Sequence, residues 1–459
     1  MESRLKIAGI HYSSLKRHLF PGDGKEAVAL VLCGRYESDN ISMLLTHKIV
    51  LIPHEECERS PLYVNWKTDL IVPLLDEAAK KNMAILKIHS HPTGYPSFSE
   101  TDDQSDHELF RSVFGWCDHD GIHMSAVMLP SGEIFARSFG PDLIPEKVEK
   151  ISVSGDEILI WSENQGKHPD EFSLRTIQTF GDGTYKKLKQ LKIGVIGCSG
   201  TGSPTIEQLA RLGVGELVVM DPDEIEVKNL NRIVNSRMVD VGRPKVEVIA
   251  EAINNLGLNT KITPYAVNLY GDIGLLKDLI TCDILIGCMD SVDGRHMLSE
   301  LSNFYLIPYF DLGVRLDADG IGGIKSILAS VNYIQPGRST LLSRGLYTHK
   351  RLFDDALKRT NPEEFSEREQ LGYVRNANVN SPAVISINMQ ISSMAVNELL
   401  NRLHPFKDEV AGDYAQVMMD FGGGCILNTP EEEFDQDQNA AKWAGRGDCQ
   451  PFLRMPELS

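Results

Sequence analysis

Leu191-Lys-Ile-Gly-Val-Ile-Gly197-Cys-Ser-Gly200-Thr-Gly202-Ser203 reads as an apolar strand entering a glycine-rich turn, followed at once by a helical run to Leu212. Glycines at 197, 200 and 202 leave bare the amides that open the helix, and such a turn binds phosphate. A second apolar strand, Glu216-Leu-Val-Val-Met220, ends in Asp221 and Asp223. That is close to the spacing at which a carboxylate meets a nucleotide ribose in a βαβ unit. The chain then continues into Asn229-Leu-Asn-Arg232 and Gly242-Arg-Pro-Lys245. An amide, a guanidinium and an ammonium thus return to one end of the sheet, where they suit a triphosphate and its leaving pyrophosphate better than a nicotinamide. A dinucleotide-binding oxidoreductase is the rival reading, resting on the loop pattern alone.

Beyond this core the pattern keeps alternating: helix over 245–255, strand near Thr263, helix through Leu276, strand over 283–287, helix over 297–304, strand over 307–311. Strands alternating with helices predict a largely parallel sheet with its ligand at the carboxyl ends of the strands. Over roughly 175–403 the sequence resembles the adenylating enzymes that activate ubiquitin and its relatives, including the bacterial ones of thiamine and molybdopterin synthesis. The resemblance implies a Rossmann-like domain that uses ATP and Mg2+. It places Asp221 on the ribose, Asn229, Arg232 and Lys245 on the phosphates, and Asp290, in Gly287-Cys-Met-Asp-Ser291, beside Mg-ATP. Arg175 falls where the family often supplies an arginine from a dimer partner. One departure is Ser199, where the family usually has another glycine, and serine fits there only with an ordinary φ.

With 459 residues the chain is too long for one core. Its 42% hydrophobic and 24% charged residues are those of an ordinary globular protein. No apolar run approaches the ~20 residues needed to span a bilayer, and the first residues lack a signal-peptide core, so the expected location is the cytoplasm. The eight cysteines include no Cys-x-x-Cys pair, which offers neither a disulfide framework nor a cysteine-built zinc ribbon. A formal charge of -18 argues against a nucleic-acid partner.

In the first half, 26–34 reads as an apolar strand, 70–81 has helical periodicity, and 83–88 is a second buried strand running into His89-Ser-His91. Residues two apart on a strand face the same way, so both imidazoles can address one object. Ser99-Glu-Thr-Asp102 follows, a pattern that also reads as a capping box at a helix start. Two His and one carboxylate, with a position left open, make a catalytic rather than a structural zinc set. The run His89-Ser-His91-Pro, then Ser99, then Asp102 resembles the JAMM (MPN-type) metalloprotease motif in every spacing. The family has a cytidine-deaminase-like α/β fold and also needs an upstream glutamate, for which Glu26 is the best match, although Val28-Ala29 stands where the family has Cys-Gly. The resemblance implies Zn2+ on His89, His91 and Asp102, Glu26 as proton shuttle and Ser99 steadying the oxyanion. A metal-free scaffold is the other reading of such domains.

The apolar helix expected over 381–400 is either buried within one chain or, as in the resembling family, part of a two-fold homodimer. In relatives that pass the modifier to a cysteine, the segment after a Pro-Gly turn commonly reads like Cys-Leu-x-Cys. Here Pro336-Gly337 is followed by Arg338-Ser-Thr-Leu-Leu-Ser343, so Thr340 and Ser343 occupy those places. A hydroxyl nucleophile needs a neighbouring base, and the alternatives are adenylation alone or use of another cysteine, such as Cys425 or Cys449. The expected layout is a metalloprotease domain over 1–165, an adenylation domain over 170–430 and a tail over 431–459, with the junction near 160–172. Together the resemblances imply a two-headed enzyme of a bacterial-type ubiquitin-like conjugation pathway, as found in antiphage operons, acting on a β-grasp modifier beside a conjugating-enzyme-like partner. Sulfur-carrier activation for cofactor synthesis and a non-catalytic modifier-binding scaffold are the competing functions.

Overall fold

The computed structural model describes residues 1–117, 119–162, 171–318, 323–370, 384–455 and 458. The expected junction falls mostly on 163–170, and the start of the 381–400 helix on 381–383, both outside the described residues. The chain divides into two compact units.

The first unit comprises Met1–Gln165, Asn303–Leu306 and Ala441–Ser459. Its elements are β1 (Glu2–Ala8), α1 (Gly9–Leu19), β2 (Val28–Glu37), β3 (Ile41–Leu51), β4 (Cys57–Arg59), β5 (Val64–Trp66), α2 (Val72–Lys81), β6 (Ala84–Ser90), α3 (Glu100–Trp116), β7 (His123–Met128), β8 (Ile134–Phe139), β9 (Pro145–Lys147), β10 (Lys150–Ser154) and β11 (Ile158–Ser162). A mixed sheet runs in the order β11-β10-β1-β3-β2-β6-β7-β8-β9, and β4 and β5 form a separate hairpin. The central strands are apolar throughout because both faces are covered. Ala29, Val31, Leu86 and Ile88 join Leu15 and Leu19 of α1 in one core, whereas Val28, Leu30 and Ile85 join Leu74 of α2 and Phe110 of α3 in the other. This two-residue alternation also fixes the site, since Ile85, Lys87 and His89 share the face of β6 that looks at α3.

The second unit comprises Gly166–Ser302 and Ile307–Ala440. It contains α4 (Leu174–Gln190), β12 (Lys192–Ile196), α5 (Gly202–Leu212), β13 (Glu216–Met220), α6 (Lys245–Asn255), β14 (Lys261–Tyr265), α7 (Ile273–Ile280), β15 (Ile284–Gly287), α8 (Val292–Tyr305), β16 (Tyr309–Ala318), β17 (Ile324–Ile334), α9 (His349–Thr360), α10 (Pro362–Gln370), α11 (Ile385–Leu403), β18 (Gln416–Asp420), β19 (Cys425–Thr429) and α12 (Gln438–Trp443), the last turns of α8 and α12 crossing into the first unit. The sheet order is β14-β13-β12-β15-β16-β17-β18-β19. It is parallel from β14 to β16 and antiparallel from there to β19. Strand order reverses between β12 and β15, so the glycine turn after β12 opens at a switch point, where α/β sheets take their ligands. Among the described residues no helix is long and apolar enough to cross a membrane.

Candidate metal centre and nucleotide site

Helix α3 starts at a reciprocal cap: Ser99 Oγ accepts from the Asp102 amide, while the Ser99 amide donates to Asp102 Oδ2 at 2.7 Å. The capping box and the metal set are therefore one structure. Capping orients the Asp102 carboxylate so that Oδ1 lies 2.9 Å from His89 Nε2 and Oδ2 lies 3.4 Å from His91 Nε2. The two ring nitrogens stand 3.1 Å apart. One rung below, Lys87 Nζ meets Asp106 Oδ1 at 2.7 Å. Two residues of strand advance about 6.6 Å and four of helix about 6 Å, so both rungs fit the same strand–helix pair. Arg137 of β8 donates to Asp106 at 2.7 Å from the other side.

These donors fit zinc. Zn–N and Zn–O bonds of about 2.0–2.2 Å at tetrahedral angles put ligand atoms roughly 3.3 Å apart, which the three separations above bracket. His91 Nδ1 pairs with the Tyr95 carbonyl at 2.9 Å, which leaves Nε2 as the lone-pair nitrogen. Burial lowers the His89 pKa, and with both imidazoles against it the Asp102 carboxyl titrates well below the usual range despite its own burial. These trends favour neutral His89 and ionised Asp102, the ligand forms, whereas at His91 burial is outweighed by the Asp102 and Tyr95 contacts, which raise the imidazole, so a metal there would displace a proton.

Glu26 lies just before β2, whose Val28 pairs with His89. Its residue is 4% exposed, and burial pushes its carboxyl up to about 7, with the Asp102 charge adding to the rise and those of His91 and Lys87 opposing it. A carboxyl poised there can both take and return a proton near neutrality. The β4–β5 hairpin fixes it: the Glu26 amide donates to the Ser60 carbonyl at 2.9 Å, and Arg59 Nε donates to the Glu26 carbonyl at 2.6 Å. Arg59 also pairs with Asp23 at 2.9 Å. Sequence reading missed Arg59, Lys87 and Asp106; the one signal was spacing, since Asp106 lies one helical turn beyond Asp102.

At the second site, Gly197 has φ +96° and a Cβ there would stand 2.5 Å from the Cys288 carbonyl, so the β15 loop carrying Asp290 lies against the turn. Gly202 likewise has no room for a Cβ, which would fall 1.8 Å from the Gly197 carbonyl. Ser199 keeps an ordinary φ. The amides of Ser199, Gly200 and Thr201 have no partner among the described residues. The Cys198 amide donates to Asp221 Oδ2 at 2.8 Å, and Lys245 Nζ bridges Asp221 at 3.3 Å and Asp223 at 2.7 Å. Asn229 is buried and its Oδ1 accepts from the Glu226 amide at 3.0 Å. Arg232 reaches the turn, its Cδ lying 3.4 Å from where a Cβ on Gly200 would be. Asp290 is exposed on its loop. The thiols nearby are inert: burial raises Cys198 well above the ordinary value and Cys288 to about 12.

Two sets of predicted residues lie elsewhere. Arg175, on the exposed first turn of α4, donates to Gln178 at 3.0 Å rather than to the turn of its own chain. Thr340 and Ser343 close a reciprocal turn, the Thr340 amide donating to Ser343 Oγ at 2.9 Å and the Ser343 amide to Thr340 Oγ1 at 3.2 Å. Ser343 Oγ in turn donates to the Thr340 carbonyl at 3.3 Å. Thr340 Oγ1 does face a carboxylate, Asp437 at 2.8 Å, but that carboxylate also caps α12. Ser339 is held by Glu431 at 2.7 Å and by Arg344. These hydroxyls are committed to the turn.

Comparison with known proteins agrees with both halves. Residues 10–137 match prokaryotic homologues of the JAB domain. The chain is 31% identical over 147 residues to a ubiquitin-activating enzyme E1-like protein of Saccharomyces cerevisiae, covering 32% of this chain and 22% of that one. It is 26% identical to ubiquitin-like modifier-activating enzyme 5 of Aedes aegypti, covering 42% and 47%, and 34% identical to the SAMP-activating enzyme E1 of Haloferax volcanii, covering 27% and 45%. Each match spans less than half of the relative's length. Residues 173–421, more than half of the sequence, match the ThiF family, and the chain belongs to that family.

Proposed function

We propose that this chain is a two-headed enzyme acting on the C-terminus of one ubiquitin-like β-grasp modifier in a bacterial-type conjugation pathway, which includes a conjugating-enzyme-like partner. The observation that carries the reading is the joint completeness of two unlike sites, the His89–His91–Asp102 donor set with Glu26 beside it and the open glycine turn flanked by Asp221, Arg232 and Lys245.

In the first unit, His89, His91 and Asp102 would hold zinc, which would supply Lewis acidity at the scissile bond. Glu26 takes a proton from the attacking water and returns it to the leaving amine. Ser99 Oγ, which donates to Asp102 Oδ2 at 2.8 Å in this structure, would turn its proton from that carboxylate to the developing oxyanion. In the second unit the modifier's terminal carboxylate attacks the α-phosphorus of ATP, the bond to the β-phosphate breaks, and pyrophosphate leaves. Asp221 would hold the ribose, Asn229, Arg232 and Lys245 the phosphates, and Asp290 would supply a carboxylate for Mg2+. Transfer follows from the free adenylate rather than from an ester on Ser343 or Thr340, whose hydroxyls serve their turn. A second copy supplies Arg175 in a homodimer, and the exposed Val384, Ile385 and Met389 at the start of α11 support such contact.

The test is cleavage of a β-grasp protein carrying a C-terminal extension. Wild type should cut after the modifier's terminus, and Glu26→Gln should lose at least a hundredfold in rate while keeping zinc. Full activity in Glu26→Gln would overturn the assigned role.

A further inference from the structure

Gly200 lacks the positive φ that explains Gly197. What it needs is space. A Cβ on residue 200 would stand 2.2 Å from the side-chain amide nitrogen of Asn388, on α11. Helix α11 packs along α5, and its register against the turn is set by Ser392, whose Oγ lies 2.7 Å from the Thr201 carbonyl and 2.8 Å from the Asn388 carbonyl. One turn earlier, Asn388 is thereby held over Gly200.

The Asn388 side chain is 5% exposed and makes no hydrogen bond with the described residues. Asn401, also buried on α11, uses its Oδ1 to accept from the Phe406 and Lys407 amides at 3.0 and 3.1 Å, while its Nδ2 has no partner among the described residues. A carboxamide left without a protein partner in a residue so nearly buried is free to take a ligand at the turn. The surroundings define that occupant's chemistry. The bare amides of Ser199, Gly200 and Thr201 and the positive end of α5 meet there, with the aliphatic part of Arg232 against the turn and its guanidinium on the Lys228 carbonyl at 3.1 Å, and donors meeting in one place select an anion.

We propose that Asn388 is a phosphate ligand of the nucleotide, its amide donating to a phosphate oxygen beside Gly200. This rests on the ATP reading of the same site. It gives α11 a task at the reaction centre beyond packing, and it explains why residue 200 must be glycine although its backbone is unstrained.

The test is calorimetric binding of MgATP and, separately, of adenosine to wild type, Asn388→Ala, Asn388→Leu and Arg232→Ala, measured well below each melting temperature. Loss of one hydrogen bond to a charged group should weaken MgATP by about tenfold or more in both Asn388 variants, with adenosine binding unchanged. Leucine refills the volume, so wild-type affinity in Asn388→Leu would overturn the proposal in favour of packing. Equal loss of adenosine and MgATP would overturn it in favour of local collapse. Wild-type affinity in Arg232→Ala, or no MgATP binding by wild type, would instead overturn the ATP reading and this proposal with it.

Discussion

Replacing Asp106 by alanine should unsettle the metal centre without touching a metal ligand. The carboxylate is fully buried and holds two cations, Lys87 at 2.7 Å and Arg137 at 2.7 and 3.1 Å. Lys87 and Arg137 are themselves only 4% and 7% exposed, so deletion of the acid leaves two charges buried without that partner. Breaking a buried pair in this way costs about 3–5 kcal/mol. For a unit of this size that lowers the melting temperature by roughly 6–20 °C. The rung above carries His89 and Asp102 on the same strand and helix, so loosening of β6 against α3 should also weaken zinc. The assay is thermal unfolding of the metal-free protein beside a zinc titration. Asp102→Ala is the control, expected to abolish zinc binding with a smaller loss of metal-free stability. Substituting Lys87→Met and Arg137→Leu together with Asp106→Leu should recover much of the stability, since apolar replacement of buried ions is often neutral or better. A loss below about 1 kcal/mol in Asp106→Ala, the level of an exposed pair, would refute the reasoning.

Arg59→Ala should lower the peptidase kcat about tenfold with little change in KM or zinc content, because it frees the Glu26 carbonyl from its 2.6 Å bond and moves a proton shuttle rather than a ligand; Arg59→Lys should recover part of the loss, and steady-state kinetics with metal analysis decides. Gly445→Ala should destabilise the first unit, since φ is +67° there and the new Cβ would meet the Thr46 carbonyl at 2.2 Å; a melting temperature equal to wild type would remove the structural role given to that segment. Burial and the His47 charge lower His11 to about 4. Its folded pKa is thus below its unfolded value, so its share of stability is present above pH 6.5 and is lost as pH falls toward 4, about 2–3 kcal/mol after allowance for partial exposure. His11→Gln should flatten the acid side of the stability profile. Chelation of zinc should abolish peptide cleavage and leave MgATP binding intact.

Much of this was legible in the residues. The helix over 245–255 and the strands near 263 and 283–287 lie where α6, β14 and β15 do, because apolar periodicity and the Pro244 boundary state them locally. The donor set was legible because a strand fixes His89 and His91 two apart and a capping box fixes Asp102. What was not legible depends on distant pairing. The antiparallel extension β17 to β19 joins 324–334 to 416–429, and no local signal announces such a partner. Arg59 acts through a hairpin that lies outside the main sheet and reaches Glu26 by tertiary contact, and Gly445 to Gly447 return to β2, where the Gly34 site has room for them. Nothing local in the 381–400 helix marks Asn388, whose relation to Gly200 exists only once α11 packs on α5.

The most direct measurement is pyrophosphate exchange into ATP by the purified chain, using a β-grasp protein from the source organism and the same protein with an amidated C-terminus. Exchange should require the free carboxylate, fall at least a hundredfold in Arg232→Ala and persist in Glu26→Gln. Exchange that is indifferent to the amidated terminus, or that disappears in Glu26→Gln with the fold intact, would contradict two independent heads acting on one modifier terminus.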